Sequence, residues 1–398
     1  MKSVQISECL KPLVATVRTA YAAFAIILAN TVILLLVVNL FLHLGLSIKD
    51  RRLDPNRSFY RNVPESHLMV AYPDFSLQER KLMLEQTLSR PWVYEDFVHF
   101  KERPFQSKYV NVTTSGFRKV KDQGPWPPDP NNINVFVFGG STTFGWGLPD
   151  EQTVPSFLQQ SLAGHFREHV YVYNFGTSGY FSTQERILLE QLLNQGYRPN
   201  IAIFVDGLND LWHLKDAPVM WEAPDVLSRT RTREEHALLA VVLKQPMGRA
   251  ALKVRRMFQS RTKAQSELAA TSSQIEDVLE RYQRNKMLTE SACLAFGCTP
   301  VFVWQPVPSY KYDLTYHLFF NDPAIYANQA SGFRQMELIF KSGTLGEDFL
   351  WCADLQRDEK ECLYVDDCHY TAKFGKRFAA VICQMCSERG LFRKHLSK

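Results

Sequence analysis

From Ile133 onward the chain alternates short runs of β-branched and aromatic residues with longer amphipathic runs, and no other feature constrains its fold as tightly. "INVFVFGG" reads as a buried strand, and "TVPSFLQQSLAGHF" as a helix with Thr153 at its N-cap. The strand "VYVYNFG" follows. Next comes the helix "STQERILLEQLLNQG", where Ser182 and Glu185 have the spacing of a capping box and Gly196 and Pro199 form a stop. "IAIFVDG" is a third strand. After an irregular stretch over about 215–273 the pattern resumes with the helix "IEDVLERYQRNKMLTESACLAFG", the strand "TPVFVWQPV" and, past "YVDDCHY", the helix "TAKFGKRFAAVICQMC". Strands alternating with helices of this length predict an α/β fold of three layers, α/β/α, with a parallel sheet covered on both faces.

Ahead of this region, Ala20 to Leu46 contains no Asp, Glu, Lys or Arg, which exceeds the roughly 20 apolar residues that cross a bilayer as a helix. The run ends in "LGLSIKDRR", a stop rather than a cleavage site, so it reads as one N-terminal transmembrane helix. The chain then divides into a polar tail (1–19), an anchor (20–47), a membrane-proximal segment packing on the catalytic domain (48–131) and the alternating domain (132–398) with its insertion. Within 48–131, "WVYEDFVHF" and "YVNVTTSGFRKV" read as strands. The insertion is apolar and basic by turns over 236–263, either a helix lying on an anionic membrane surface or an ordinary solvated insertion. A net charge of +5 over 398 residues, with basic and acidic residues interspersed, disfavours nucleic acid as a partner.

The first strand ends in a glycine-rich turn, "GGSTTFGWG", which three kinds of site could use. A phosphate-binding loop needs Lys where Trp146 stands, and a dinucleotide fingerprint needs a third glycine where Asp150 stands. Both readings fail there. A nucleophilic serine at the carboxyl end of a buried strand remains, and Ser141 then needs a base, an orienting acid and oxyanion donors. Later strand ends offer Gly179, whose N–H no side chain screens, and Asn209, whose amide can donate to a developing charge. "YVDDCHY" offers Asp366 and His369 three residues apart, close enough for a carboxylate to hold the imidazole Nδ1–H. Taken alone, Asn209 and Asp210 could merely cap a helix, Asp367 could serve as the acid, and Cys368 could be a disulfide or packing residue.

These blocks together resemble the SGNH hydrolase superfamily, also called GDSL-type esterases. Its G-x-S-x-x-x-G block is met by Gly139, Ser141 and Gly145, its second block by Gly179, its G-x-N-D block by Gly207, Asn209 and Asp210, and its D-x-x-H block by Asp366 and His369. Gly140 departs from the Asp that many members carry before the serine. The resemblance covers about 133–378. It implies an SGNH/flavodoxin-like sheet and acyl transfer through an ester on Ser141, with His369 as base and Asp366 as its partner. Ser141 N–H, Gly179 N–H and the Asn209 amide would form the oxyanion hole, and neither metal nor organic cofactor is needed.

The resulting expectation is a membrane-anchored serine esterase (carboxylic ester hydrolase) or related O-acyltransferase, acting on an acylated carbohydrate or lipid of the cell envelope. The alternative is a catalytically silent SGNH-fold protein for carbohydrate binding or assembly. Simple counting of charges beside the anchor, Lys2, Lys11 and Arg18 before and Lys49, Arg51, Arg52, Arg57 and Arg61 after, places the large domain in the cytoplasm. Seven cysteines after the anchor, with Cys293/Cys298, Cys352/Cys362 and Cys383/Cys386 near in sequence, are equally compatible with local disulfides or with reduced core thiols. An extracytoplasmic domain, periplasmic or lumenal, is the expectation. "CQMC" lacks the second Cys or His pair of a zinc site. "NRS" at Asn56 and "NVT" at Asn111 have the form of glycosylation sites, and no sequence signal defines an oligomeric state.

Overall fold

The structure, a computed structural model, describes residues 2–52, 63–90, 92–93, 95–214, 247–248, 270–319 and 326–395. Most of the expected insertion, all of 236–263 except 247–248 included, and the Asn56 tripeptide lie outside the described residues. The chain forms two compact units, Met1–Asp54 with Leu227–Ser266, and Pro55–Val226 with Glu267–Lys398. The first contains helix α1 (Lys2–Arg52), whose stretch Thr16–Leu44 has a mean hydropathy of 2.6 and no burial in its most apolar window. A helix this apolar in the core of a soluble domain would be covered by other elements. Here it is long and apolar enough to serve as a membrane span or a signal sequence.

The second unit begins with helices α2 (Glu65–Ala71) and α3 (Leu77–Leu88), the latter closed by a capping box between Ser76 and Glu79. A two-stranded hairpin follows, β1 (Trp92–Val93) with β2 (Lys101–Glu102). "WVYEDFVHF" is therefore mostly turn, because Phe97 and His99 take left-handed conformations (φ 68° and 71°) that no strand contains. "YVNVTTSGFRKV" makes only isolated bridges, among them Arg118 with Asn174. Its expected strand is broken because its polar groups serve the turn beyond the sheet, as described below.

Five parallel strands form the centre: β3 (Ile133–Gly139), β4 (Val170–Asn174), β5 (Ile201–Asp206), β6 (Thr299–Trp304) and β7 (Phe349–Trp351), in the order β4-β3-β5-β6-β7. Side-chain alternation sorts the two faces by shape. Phe136, Phe138, Phe204, Phe302, Trp304 and Phe349 point to one face, and Val135, Val137, Ile203, Val205, Val301 and Val303 to the other. Register aligns Phe138, Phe204, Phe302 and Phe349 across four strands, with the first three rings stacked at centroid distances of 4.9 and 5.3 Å.

After β3 come the one-turn helix α4 (Ser141–Phe144) and α5 (Val154–Leu162), then α6 (Ser182–Asn194), the short α7 (Leu208–Trp212), α8 (Ser272–Ala295), α9 (Ala327–Lys341) and α10 (Ala372–Glu388). Helices α6, α8 and α9 cover the aromatic face, and α5 and α10 the aliphatic one. This is the three-layer α/β/α fold the alternation predicts, and Thr153 caps α5 as expected. The order reverses beside β3, so the connections leaving β3 and β5 diverge and leave a crevice at their carboxyl ends.

A further expectation needs correction. Ser182 is not an N-cap: Phe181 precedes the helix without a side-chain cap, while the Ser182 hydroxyl donates to Asp210 Oδ1 at 2.6 Å and Glu185 is buried beside Asp206. A carboxylate distant in sequence has captured the hydroxyl that local spacing assigns to the cap. Of the two readings left open for the cysteines after the anchor, reduced thiols hold: Cys293, Cys298, Cys352, Cys362, Cys368, Cys383 and Cys386 are free, five of them buried in the core.

Candidate active site

Ser141 is the first residue after the turn that closes β3, and as the first residue of α4 it has a backbone N–H without an intrahelical acceptor. The turn is held from the upstream segment. Arg118, wholly buried, donates from Nη1 to the carbonyls of Phe144 and Gly145 (2.7 Å each), from Nη2 to that of Leu148 (2.6 Å), and from Nε to Asp150 Oδ1 (2.9 Å). Asn111 donates its backbone N–H and its amide to the same carboxylate, so the amide expected as a glycosylation acceptor is part of this network. A second buried ion pair, Arg90 with Glu102 at 2.7 Å, places the Arg90 guanidinium 3.8 Å from the Phe144 ring centre and 5.3 Å from that of Trp146. Removing one member of such a pair typically costs about 3–5 kcal/mol.

The loop "YVDDCHY" is closed by the Val365 N–H donating to the His369 carbonyl (2.8 Å) and by a bridge between Tyr364 and Tyr370. Inside it, Asp366 Oδ1 accepts from the backbone N–H groups of Cys368 (3.0 Å) and His369 (2.9 Å). Both carboxylate oxygens lie 2.7–2.8 Å from His369 Nδ1, and His369 Nε2 lies 2.7 Å from Ser141 Oγ. Ser141 and His369, 228 positions apart, are thus joined in one hydrogen-bonded chain ending at Asp366. The Trp146 indole stacks on the imidazole with centroids 5.7 Å apart. The residue that rules out a phosphate loop thus flanks the histidine, and in sequence only its aromaticity within a glycine-rich turn marks it.

Burial disfavours charge on His369, but Asp366 beside it outweighs this and holds the imidazolium well above the usual histidine range. Asp366 is buried too, which alone would favour its neutral form. The His369 ring and the two backbone donors reverse that and hold it below the usual carboxylate range. Asp367, pushed up to about 6 by burial and by Asp366, does not bond the ring, and its carbonyl accepts from His317. Burial pushes the Cys368 thiol up, away from a nucleophilic thiolate. Asp366, Cys368 and His369 bring ligand atoms within 4.8 Å of one another, a grouping a metal ion could use. The serine contact at Nε2 and the protonated thiol favour hydrogen bonding instead.

Gly179, at φ +85°, lies in the left-handed region that favours glycine, on the loop after β4. Asn209 donates one amide hydrogen to the Tyr180 carbonyl at 2.7 Å, which orients the side chain and leaves its second hydrogen for a ligand. A Cβ at residue 140 would stand 2.1 Å from Asn209 Nδ2. Glycine before the serine is therefore what lets the amide approach this turn, and an Asp there would displace it.

Asp210 links the two loops: Oδ1 accepts from Ser182 N–H and Oγ–H, and Oδ2 from Gly207 N–H at 3.2 Å. His213, unmarked in the sequence, lies beside the Gly179 backbone and stacks on Phe181 with centroids 4.9 Å apart. Burial pushes the Glu185 and Asp206 carboxyls well above their usual range, with the Asp206 and Asp210 charges adding to the rise at Glu185 and the Asp210 charge to that at Asp206.

A serine, an imidazole and a carboxylate in hydrogen-bonded sequence at the rim of a parallel sheet define a site of the serine-hydrolase kind. Residues 137–288 match the GDSL-like lipase/acylhydrolase family. Similar solved structures include an acetyl xylan esterase from Geobacillus stearothermophilus (14% identity, 65% of this chain and 95% of that one, TM-score 0.35). A psychrotrophic esterase from Pseudoalteromonas (12%, 67% and 100%, TM-score 0.30) and a G-D-S-L family lipolytic protein from Veillonella parvula (10%, 63% and 96%, TM-score 0.36) are further examples. No curated protein matches the sequence.

Proposed function

We propose that the protein is a membrane-anchored serine esterase or O-acyltransferase that works through an acyl-enzyme on Ser141. The observation that carries the reading is the continuous contact from Ser141 Oγ through His369 to Asp366, with distances of 2.7 Å on either side of the ring. As Oγ attacks an ester carbon, Nε2 takes its proton, and Asp366 stabilises the imidazolium and keeps the ring in the tautomer that accepts. The tetrahedral oxyanion is bound by Ser141 N–H, Gly179 N–H and the free Asn209 amide hydrogen. His369 then gives its proton to the departing alkoxide. Water, or a sugar hydroxyl in the transferase case, attacks the acyl carbon as it loses its proton to the same nitrogen, the bond to Oγ breaks, and Nε2 returns that proton to Ser141 Oγ.

An acylated carbohydrate or lipid of the cell envelope is the substrate class, because an anchor formed by α1 keeps the enzyme at the membrane. The extracytoplasmic orientation rests on the location of such substrates alone, since the free cysteines give no support for an oxidising compartment. Protease protection in sealed vesicles tests it.

A serine-directed fluorophosphonate is the direct test of the chemistry. Labelling of the full chain that disappears in Ser141→Ala supports the enzyme. A folded chain that resists the probe favours a silent binding or assembly role.

A further inference from the structure

Gln305 directly follows β6, the strand beside the central β5, at the sheet's carboxyl rim, and is 2% exposed. Its backbone N–H donates to the Asp206 carbonyl (3.1 Å) and its amide to the Val205 carbonyl (3.5 Å). These fix it to the end of β5, from which the turn to Asn209 departs. Its carbonyl oxygen accepts from Thr142 Oγ–H at 2.7 Å and lies 2.9 Å from the Tyr370 hydroxyl, whose single hydrogen is shared between this oxygen and the Pro306 carbonyl at 2.8 Å. Thr142 and Tyr370 are the chain neighbours of Ser141 and His369, and both are buried.

One amide therefore joins the three strand-end loops that bring nucleophile, base and oxyanion donor together. An apolar side chain of similar size would fill the same space, but it would impose no direction on either hydroxyl. A buried amide with both ends hydrogen-bonded does so, because leaving any partner unmet in the low-dielectric interior is costly. The 2.7 Å contact between Ser141 and His369 spans two loops that share no strand, and it needs such a restraint.

We infer that Gln305 is a positioning residue that sets the distance between Ser141 Oγ and His369 Nε2 by holding Thr142 and Tyr370 on one carbonyl oxygen. This rests on the reading of Ser141 and His369 as nucleophile and base.

The test uses the full chain with nitrogen-15-labelled histidine, because the Nε2 chemical shift reports the serine hydrogen bond whether or not the protein turns over. Ser141→Ala supplies the value without that bond. In Gln305→Leu the His369 signal moves most of the way to that value, and the fluorophosphonate labelling rate falls about tenfold to a hundredfold, as expected for a misplacement near 1 Å. Thr142→Val and Tyr370→Phe each move the signal part of the way, and neither adds to Gln305→Leu, because the three share one interaction. If Gln305→Leu does not fold, those two variants decide the matter. An Nε2 signal that stays at its wild-type position in Gln305→Leu, or in both single variants, overturns the inference. A wild-type chain that shows the serine-bonded Nε2 signal yet resists the probe overturns the hydrolase reading instead, and the signal still judges Gln305.

Discussion

Asp366→Asn tests the charge arrangement most sharply. Asp366 Oδ1 accepts two backbone N–H groups, so the oxygen of an asparagine occupies that position and its NH₂ replaces Oδ2, which lies 2.7 Å from His369 Nδ1. The NH₂ then faces the Nδ1–H donor, while the amide oxygen, 2.8 Å from Nδ1, already serves two backbone donors. The ring is shifted toward the tautomer with its hydrogen on Nε2, which cannot take the Ser141 proton. A tautomer error of this kind lowers kcat by about 10⁴-fold, or about 5.4 kcal/mol at 1.36 kcal/mol per decade. The pH dependence gives an independent sign. Catalysis needs the neutral ring, and despite burial Asp366 holds the imidazolium well above the usual histidine range, so wild-type activity climbs with pH into the alkaline region. Asparagine carries no charge, so the acid limb moves to lower pH while the plateau falls. Hydrolysis of p-nitrophenyl acetate by the full chain in detergent, followed across the neutral and alkaline range, measures both quantities. A variant within tenfold of wild type, or one whose limb stays in place, refutes the assigned roles of Asp366 and His369.

Asn209→Ala removes one oxyanion donor and should lower kcat by about a hundredfold to a thousandfold with KM little changed, in the same ester assay. Circular dichroism should show the fold retained, since the lost bond to the Tyr180 carbonyl lies at the site's edge. Glu185→Gln should stabilise the protein at neutral and alkaline pH. Burial first, then Asp206 and Asp210, raise the Glu185 carboxyl in the folded state, so the folded protein keeps protons that the unfolded chain releases. That contribution to stability is fully present below the ordinary carboxyl range and is lost as pH rises from there through the raised value of the folded state. Urea denaturation at acid and alkaline pH should show a smaller fall in the variant, and an equal fall would remove Glu185 from the account.

What could be read in the residues themselves was short-range. The strand–helix alternation, the Thr153 cap and the placing of Ser141, Gly179 and Asn209 after strands depend on neighbours a few positions away, so a linear pattern records them. Asp366 and His369 were legible because their spacing lies within one turn of chain. Where a distant partner competes, the same logic misleads: Ser182 has the spacing of a cap, but Asp210 takes its hydroxyl. The three-residue β7 is too short for any period to mark it.

The chain by itself determined which chemical groups stand at the carboxyl ends of which strands, because backbone period, turn residues and caps act locally. Only the tertiary structure decided that Arg90 and Arg118 of the upstream segment brace the nucleophile turn, that Trp146 lies on the imidazole and that one amide at Gln305 joins the loops. Those contacts arise from burial, where a polar group must find a partner among whatever elements the sheet order brings beside it, and the sequence carries no local mark of that neighbour.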